Sequence, residues 1–161
     1  MATINIKGVR RKPDPDFSVA PYGNVTKLSY QLKSNASGVV DSDKATAVAI
    51  GDVLRLGILP AGMQLNDILA IISDAFSASV TCNVGFLYVH GVDSSAVPQN
   101  DAYFIAVGQA LSSAAVVRKT ATTAPVVLPK DAFLVLTTAG AAFAEAAQAD
   151  FIVSGVMVGV A

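Results

Sequence analysis

The chain has no tryptophan, one cysteine and one histidine in 161 residues, and charged side chains make up only 14% of it. Each shortage removes a class of chemistry. Cys82 cannot form an internal disulfide, and with His90 it falls short of the four ligands of a closed zinc site. Glu145 is the sole glutamate, so no paired-glutamate hydrolase site is evident. No GxGxxG, P-loop or GxSxG pattern occurs. No stretch reaches the roughly 20 consecutive apolar residues of a membrane span; the best, 65–89, is interrupted by Asp67, Asp74 and Asn83. The first residues lack the apolar core of a secretory signal. A single cysteine fits synthesis in a reducing cytoplasm.

Apolar side chains are abundant, at 53% of the sequence. Many are alanine, which tolerates exposure. The remainder exceeds what one domain hides, which points to surface buried against other chains and to an obligate oligomer or an assembly subunit. Charge is unevenly spread. Residues 1–33 carry six basic side chains against Asp14 and Asp16, whereas residues 34–161 carry five basic and ten acidic ones. A basic arm on an acidic body fits an acidic neighbour, including another copy of the chain. Without interleaved aromatics the basic group is a poor nucleic-acid signal.

The length fits one domain, and the pattern divides it into an N-terminal arm, 1–24, and a single β-sandwich domain, 25–161. In the arm Pro13, Pro15 and Pro21 force extended or turn geometry, and residues 3–6 fit a short edge strand. Residues 25–33 alternate cleanly, with Leu28, Tyr30 and Leu32 on one face and Lys27, Ser29, Gln31 and Lys33 on the other. Further strands are predicted over 44–50, 53–59, 64–76, 79–89, 102–109, 126–129, 132–138 and 151–160. In 53–59, Leu54, Leu56 and Ile58 alternate with Val53, Arg55 and Gly57, and Pro60 and Gly62 then form a turn. Residues 111–124 read as an irregular excursion. The segment 139–150, AGAAFAEAAQAD, has helical composition and fits one short helix or a broad loop. The result is an all-β chain: a jelly-roll-like antiparallel β-sandwich of about eight to ten strands, with an extended N-terminal arm.

Candidate chemistry is sparse. His90 ends a strand, with Asp93 and Ser94 following, a spacing that does not by itself build a triad. Cys82 sits on the apolar face of its strand, as a structural thiol does. Asp41 and Asp43 are too few for calcium and fit an Asx-rich turn. No catalytic, cofactor or metal residue is assigned, and no small-molecule substrate. For an interface, the arm offers Arg10, Arg11 and Lys12 as partners for acidic groups and Tyr22 as an anchor.

Several stretches resemble the capsid decoration (cement) proteins of tailed bacteriophages. They are Asp52-Val53-Leu54-Arg55-Leu56, Leu59-Pro60-Ala61-Gly62, Asp67-Ile68, Val84-Gly85, the run from Asp131 to Leu136 and the run from Phe151 to Gly155. The resemblance covers roughly 50–90 and 126–156. It implies a virion protein with a jelly-roll fold that coats the outer capsid surface at junctions of the major capsid protein. It further implies self-association as a dimer or trimer, resistance to internal DNA pressure and no active site. A phage tail or baseplate subunit and a carbohydrate-binding jelly roll are the other readings. The absence of tryptophan weighs against the latter.

Overall fold

The structure, a computed structural model, describes residues 1–6 and 25–159. The arm residues Arg10, Arg11, Lys12 and Tyr22 lie outside the described residues. The strands are β1 (Thr3–Asn5), β2 (Val25–Ser34), β3 (Val53–Leu59), β4 (Met63–Asp74), β5 (Thr81–Tyr88), β6 (Asn100–Ala110), β7 (Ala115–Arg118), β8 (Val126–Val127), β9 (Ala132–Ala139) and β10 (Ala147–Met157). Sheet I has the order β1-β3-β9-β5-β6 and sheet II the order β2-β10-β4-β7, with β8 added beside β4.

The pairing follows a simple rule. β2 pairs β10, β3 pairs β9, β4 pairs β7 and β5 pairs β6, all antiparallel. Each pair is nested in sequence inside the one before. The pairs alternate between the two sheets, so a long two-stranded ribbon is rolled up into a jelly roll. Only β1 runs parallel to its neighbour, β3, at the edge of sheet I. The chain is all-β, as its alternation predicts.

The core lies between the sheets. On β2, Tyr30, Leu32 and Ser34 are buried and Lys27, Ser29, Gln31 and Lys33 exposed. On β5, Val80 at its entrance, Cys82, Val84, Phe86 and Tyr88 are all buried. Aromatic rings fill the centre, Phe86 meeting Tyr103 edge-on with centroids 5.4 Å apart and Phe76 meeting Phe143 at 4.6 Å.

Four expectations are corrected. Residues 44–50 form no strand; they make only an isolated bridge at Ala47. Their amides go elsewhere: Val48 N–H to Gly38 O, Ala49 N–H to the Asp52 carboxylate. Of the two forms expected for 139–150, the helix is absent and the loop is present over 140–146. β9 runs to Ala139, a loop follows, and β10 starts at Ala147. Ala147 and Ala149 are buried while Gln148 and Asp150 pair with Lys33 and Gln31, so burial against sheet II overrides helix propensity. The excursion at 111–124 holds a strand, β7, paired to β4. In β3, a bulge between Arg55 and Gly57 resets the alternation. Leu54, Leu56 and Leu59 are therefore buried and Ile58 turns outward.

Candidate interface surface

No titratable cluster converges into a reactive centre among the described residues, where no group of three or more His, Cys, Asp or Glu occurs. His90 is exposed in the turn after β5. Asp93 Oδ1 accepts the N–H groups of Ser94 at 2.8 Å and Gln99 at 2.7 Å. These bonds hold its carboxyl below the usual range. Asp93 therefore pins a loop. Burial pushes the Cys82 thiol up to about 12, so it carries no thiolate near neutrality. Asp43 binds Asn5 through both carboxylate oxygens, at 3.1 Å to its N–H and 2.7 Å to its Nδ2. It ties β1 to the loop after β2.

A shallow cleft of about 370 Å³ opens beside β6, lined by Phe86, Val97, Gln99, Tyr103, Thr123 and Val126 among others. No charged side chain lines it. The Tyr103 hydroxyl within it is bound to the Leu65 and Ala124 carbonyls, at 3.1 and 2.8 Å. The cleft is a seam between loops, and its Tyr103 hydroxyl and Thr123 hydroxyl are already engaged by backbone carbonyls.

What remains is surface, and the two sheets present unlike outer faces. Sheet I covers itself. Arg55 stacks on the Phe133 ring, 4.6 Å from its centroid. Val135, between inward-facing Leu134 and Leu136, is nevertheless fully buried. The start of β6 arches over this face: a Cβ on Gly85 would lie 2.0 Å from the Asn100 carbonyl oxygen. Asn83 Nδ2 donates to Asp101 O at 2.8 Å and holds the arch down.

Sheet II carries an apolar patch within an otherwise polar outer face. The register sets Ile152 of β10 beside Leu69 of β4, and Ile71 of β4 beside Val116 of β7. All four project outward, since their strand neighbours Val153, Ile68, Ala70 and Ile72 are buried in the core. Val116 is 67% exposed. An antiparallel sheet with one free face normally alternates apolar-in with polar-out. Here four aliphatic side chains interrupt that pattern on the outer face, beside Asp150 and Arg118. The signal was present in the sequence, as residues 64–76 have two apolar faces, but which residues meet across strands came only with the register.

No protein-family model matches the chain, and no curated protein matches it. Solved structures do. A chain from the capsid of Ralstonia phage GP4 superposes with a TM-score of 0.65 at 20% identity, covering 99% of both chains. A chain from the capsid asymmetric unit of cyanophage Pam1 superposes with a TM-score of 0.55 at 15% identity, covering 91% of this chain and 94% of that one. The shared property is the fold, over most of each chain.

Proposed function

We propose that the protein is a structural component of a bacteriophage virion that decorates and stabilises the outer surface of the capsid by binding the lattice of the major capsid protein. The observation that carries this reading is the end-to-end fold match: 99% of this chain and 99% of a chain from the GP4 phage capsid align as one jelly roll. The apolar patch of Leu69, Ile71, Ile152 and Val116 on sheet II supports it, because such patches mark contact surfaces. So does the engagement of Asp93 and Asp43 in holding loops of the fold.

In this reading the contact to the lattice is made by the arm, with Arg10, Arg11 and Lys12 meeting acidic groups and Tyr22 filling a pocket. The test is addition of the purified protein to capsids that lack it, with occupancy counted by electron cryomicroscopy. Saturable binding at symmetry-related positions is expected. Binding confined to the tail, or none, overturns the capsid assignment. Replacing Arg10, Arg11 and Lys12 with alanine isolates the arm. Deleting residues 1–16 is less clean, because it also removes β1 from sheet I.

A further inference from the structure

We propose that the outer edge of β2 is a strand-addition site for an extended acidic segment of another protein. That segment pairs with the backbone of Lys27, Ser29 and Gln31 and sets carboxylates beside Lys27 and Lys33. The proposal goes beyond the capsid reading, which places the contact on the arm, and its test needs no capsid.

The backbone hydrogen bonds fix which way β2 faces. β10 lies on one side of it, with Leu28 opposite Val153, Tyr30 opposite Phe151 and Leu32 opposite Ala149. Both backbone groups of an antiparallel strand residue point to the same side, and successive residues alternate sides. Just past β10, the Val158 N–H donates toward β4, to Gly62 O at 2.9 Å. Even-numbered residues of β10 therefore face β4, and Ala149, Phe151 and Val153 face β2. Their partners Leu32, Tyr30 and Leu28 close that ladder, which leaves the N–H and C=O of Lys27, Ser29 and Gln31 pointing away from the sheet. A second bond agrees. Asn35 N–H, in phase with these residues, donates away from β10 to Val39 O at 2.9 Å. Among the described residues none hydrogen-bonds the backbone of Lys27, Ser29 or Gln31 on that side, and all three are exposed.

The other sheet edges are shorter or already engaged. β1 has three residues and β7 four. On β6 the Phe104 carbonyl accepts from the Thr120 and Ala121 N–H groups, and the Ala106 N–H donates to the Thr120 hydroxyl. The open run of β2 is where a further strand fits, its affinity coming from main-chain hydrogen bonds.

Side chains along that edge select the occupant. Lys27 and Lys33 project from the outer face, six positions apart in sequence. Their neighbours on β10 are Ser154 and Gln148, both uncharged. Neither lysine forms an ion pair with a described residue. Lysines on an edge deter pairing with a basic strand, whereas an acidic residue directly across is stabilising. A strand with carboxylates six positions apart meets both. No two acidic residues of this chain stand six apart, so a second copy does not supply that strand.

The test is amide hydrogen exchange of the full chain, read residue by residue, with and without a short strand-forming peptide carrying two glutamates six positions apart. Alone, the amides of Lys27, Ser29 and Gln31 should exchange fast and those of Leu28, Tyr30 and Leu32 slowly. With the peptide, the first three should become protected. Lysines in place of both peptide glutamates should weaken binding about 10-fold or more. Lys27→Glu combined with Lys33→Glu should reverse that preference. Ser29→Pro removes an N–H that faces away from β10, so it should abolish binding with the fold retained. Should it fold poorly, the charge reversal carries the test. Slow exchange at Lys27, Ser29 and Gln31 in the chain alone overturns the proposal. Protection that grows with protein concentration then assigns the edge to a second copy, and protection that does not assigns it to the chain itself. Equal binding of the acidic and basic peptides, or no binding, overturns it as well.

Discussion

The Tyr30 hydroxyl on β2 donates a 2.7 Å hydrogen bond to the Ile58 carbonyl on β3, joining the two sheets across the core. The ring is buried and its hydroxyl has a partner, as a buried tyrosine requires. The bond lies where the β3 bulge has turned Ile58 outward. Tyr30→Phe keeps the ring and orphans that carbonyl. The expected loss is about 1–2 kcal/mol, read as a lower denaturant midpoint with an unchanged slope.

Gly85 is the tightest constraint on sheet I. A Cβ there would meet Asn100 O at 2.0 Å and Asp101 C at 2.4 Å, both backbone atoms. Gly85→Ala must push the β6 arch off the sheet, breaking the bond from Asn83 to Asp101. We expect a loss of about 3 kcal/mol or more. Gly108→Ala is the control: the space around it is open, but its φ of 93° strains any side chain. It should cost about 1–2 kcal/mol. Equal midpoints for the two variants would contradict the arch.

Asp52 fastens the N-terminal strand. Its buried carboxylate accepts from Ala2 N–H at 2.7 Å and Ala49 N–H at 3.0 Å. Asp52→Ala removes both bonds and should cost about 2–4 kcal/mol. Hydrogen exchange should then accelerate first at the amides of β1. Asp52→Asn, which keeps an acceptor oxygen, should fall between the variant and the wild type.

The fold should be labile in alkali. Burial pushes the Cys82 thiol from an ordinary 9.0 up to about 12. Burial also raises the hydroxyls of Tyr30, Tyr88 and Tyr103, with Asp93 adding to the effect at Tyr88. As pH climbs past 9, the unfolded chain releases these protons before the folded one does. Stability is therefore fully present below about pH 9 and falls above it. Cys82 alone should account for about 1 kcal/mol of loss at pH 10. Melting temperatures measured between pH 7 and 10.5 should decline, and Cys82→Ala should decline less steeply from its own lower starting point.

Some of this was legible residue by residue. The faces of β2 and β5 follow directly from alternation at Tyr30, Leu32, Cys82, Val84 and Phe86. The turn follows from Pro60 and Gly62, and Gly62 takes a φ of 77°, which glycine adopts freely. Other features were not legible. Ile58 points outward because β3 bulges between Arg55 and Gly57; Gly57 hints at a bulge, but alternation alone does not place it. β7 is too short for periodicity to reveal. The alanines of 139–150 favour a helix locally, yet 147–150 join β10 because β2 and β4 flank them on both sides. The candidate surface was half visible: residues 64–76 declared two apolar faces, but the row joining Leu69 to Ile152 is a matter of register.

By itself, the sequence determined an all-β chain with a large apolar core and little material for catalysis, because side-chain alternation and composition are local properties. Only the tertiary structure decided how the ribbon rolls and where the apolar patch on sheet II lies. Those outcomes depend on pairings between segments far apart in the chain, such as β2 with β10, whose hydrogen bonds and packing no short window of residues contains.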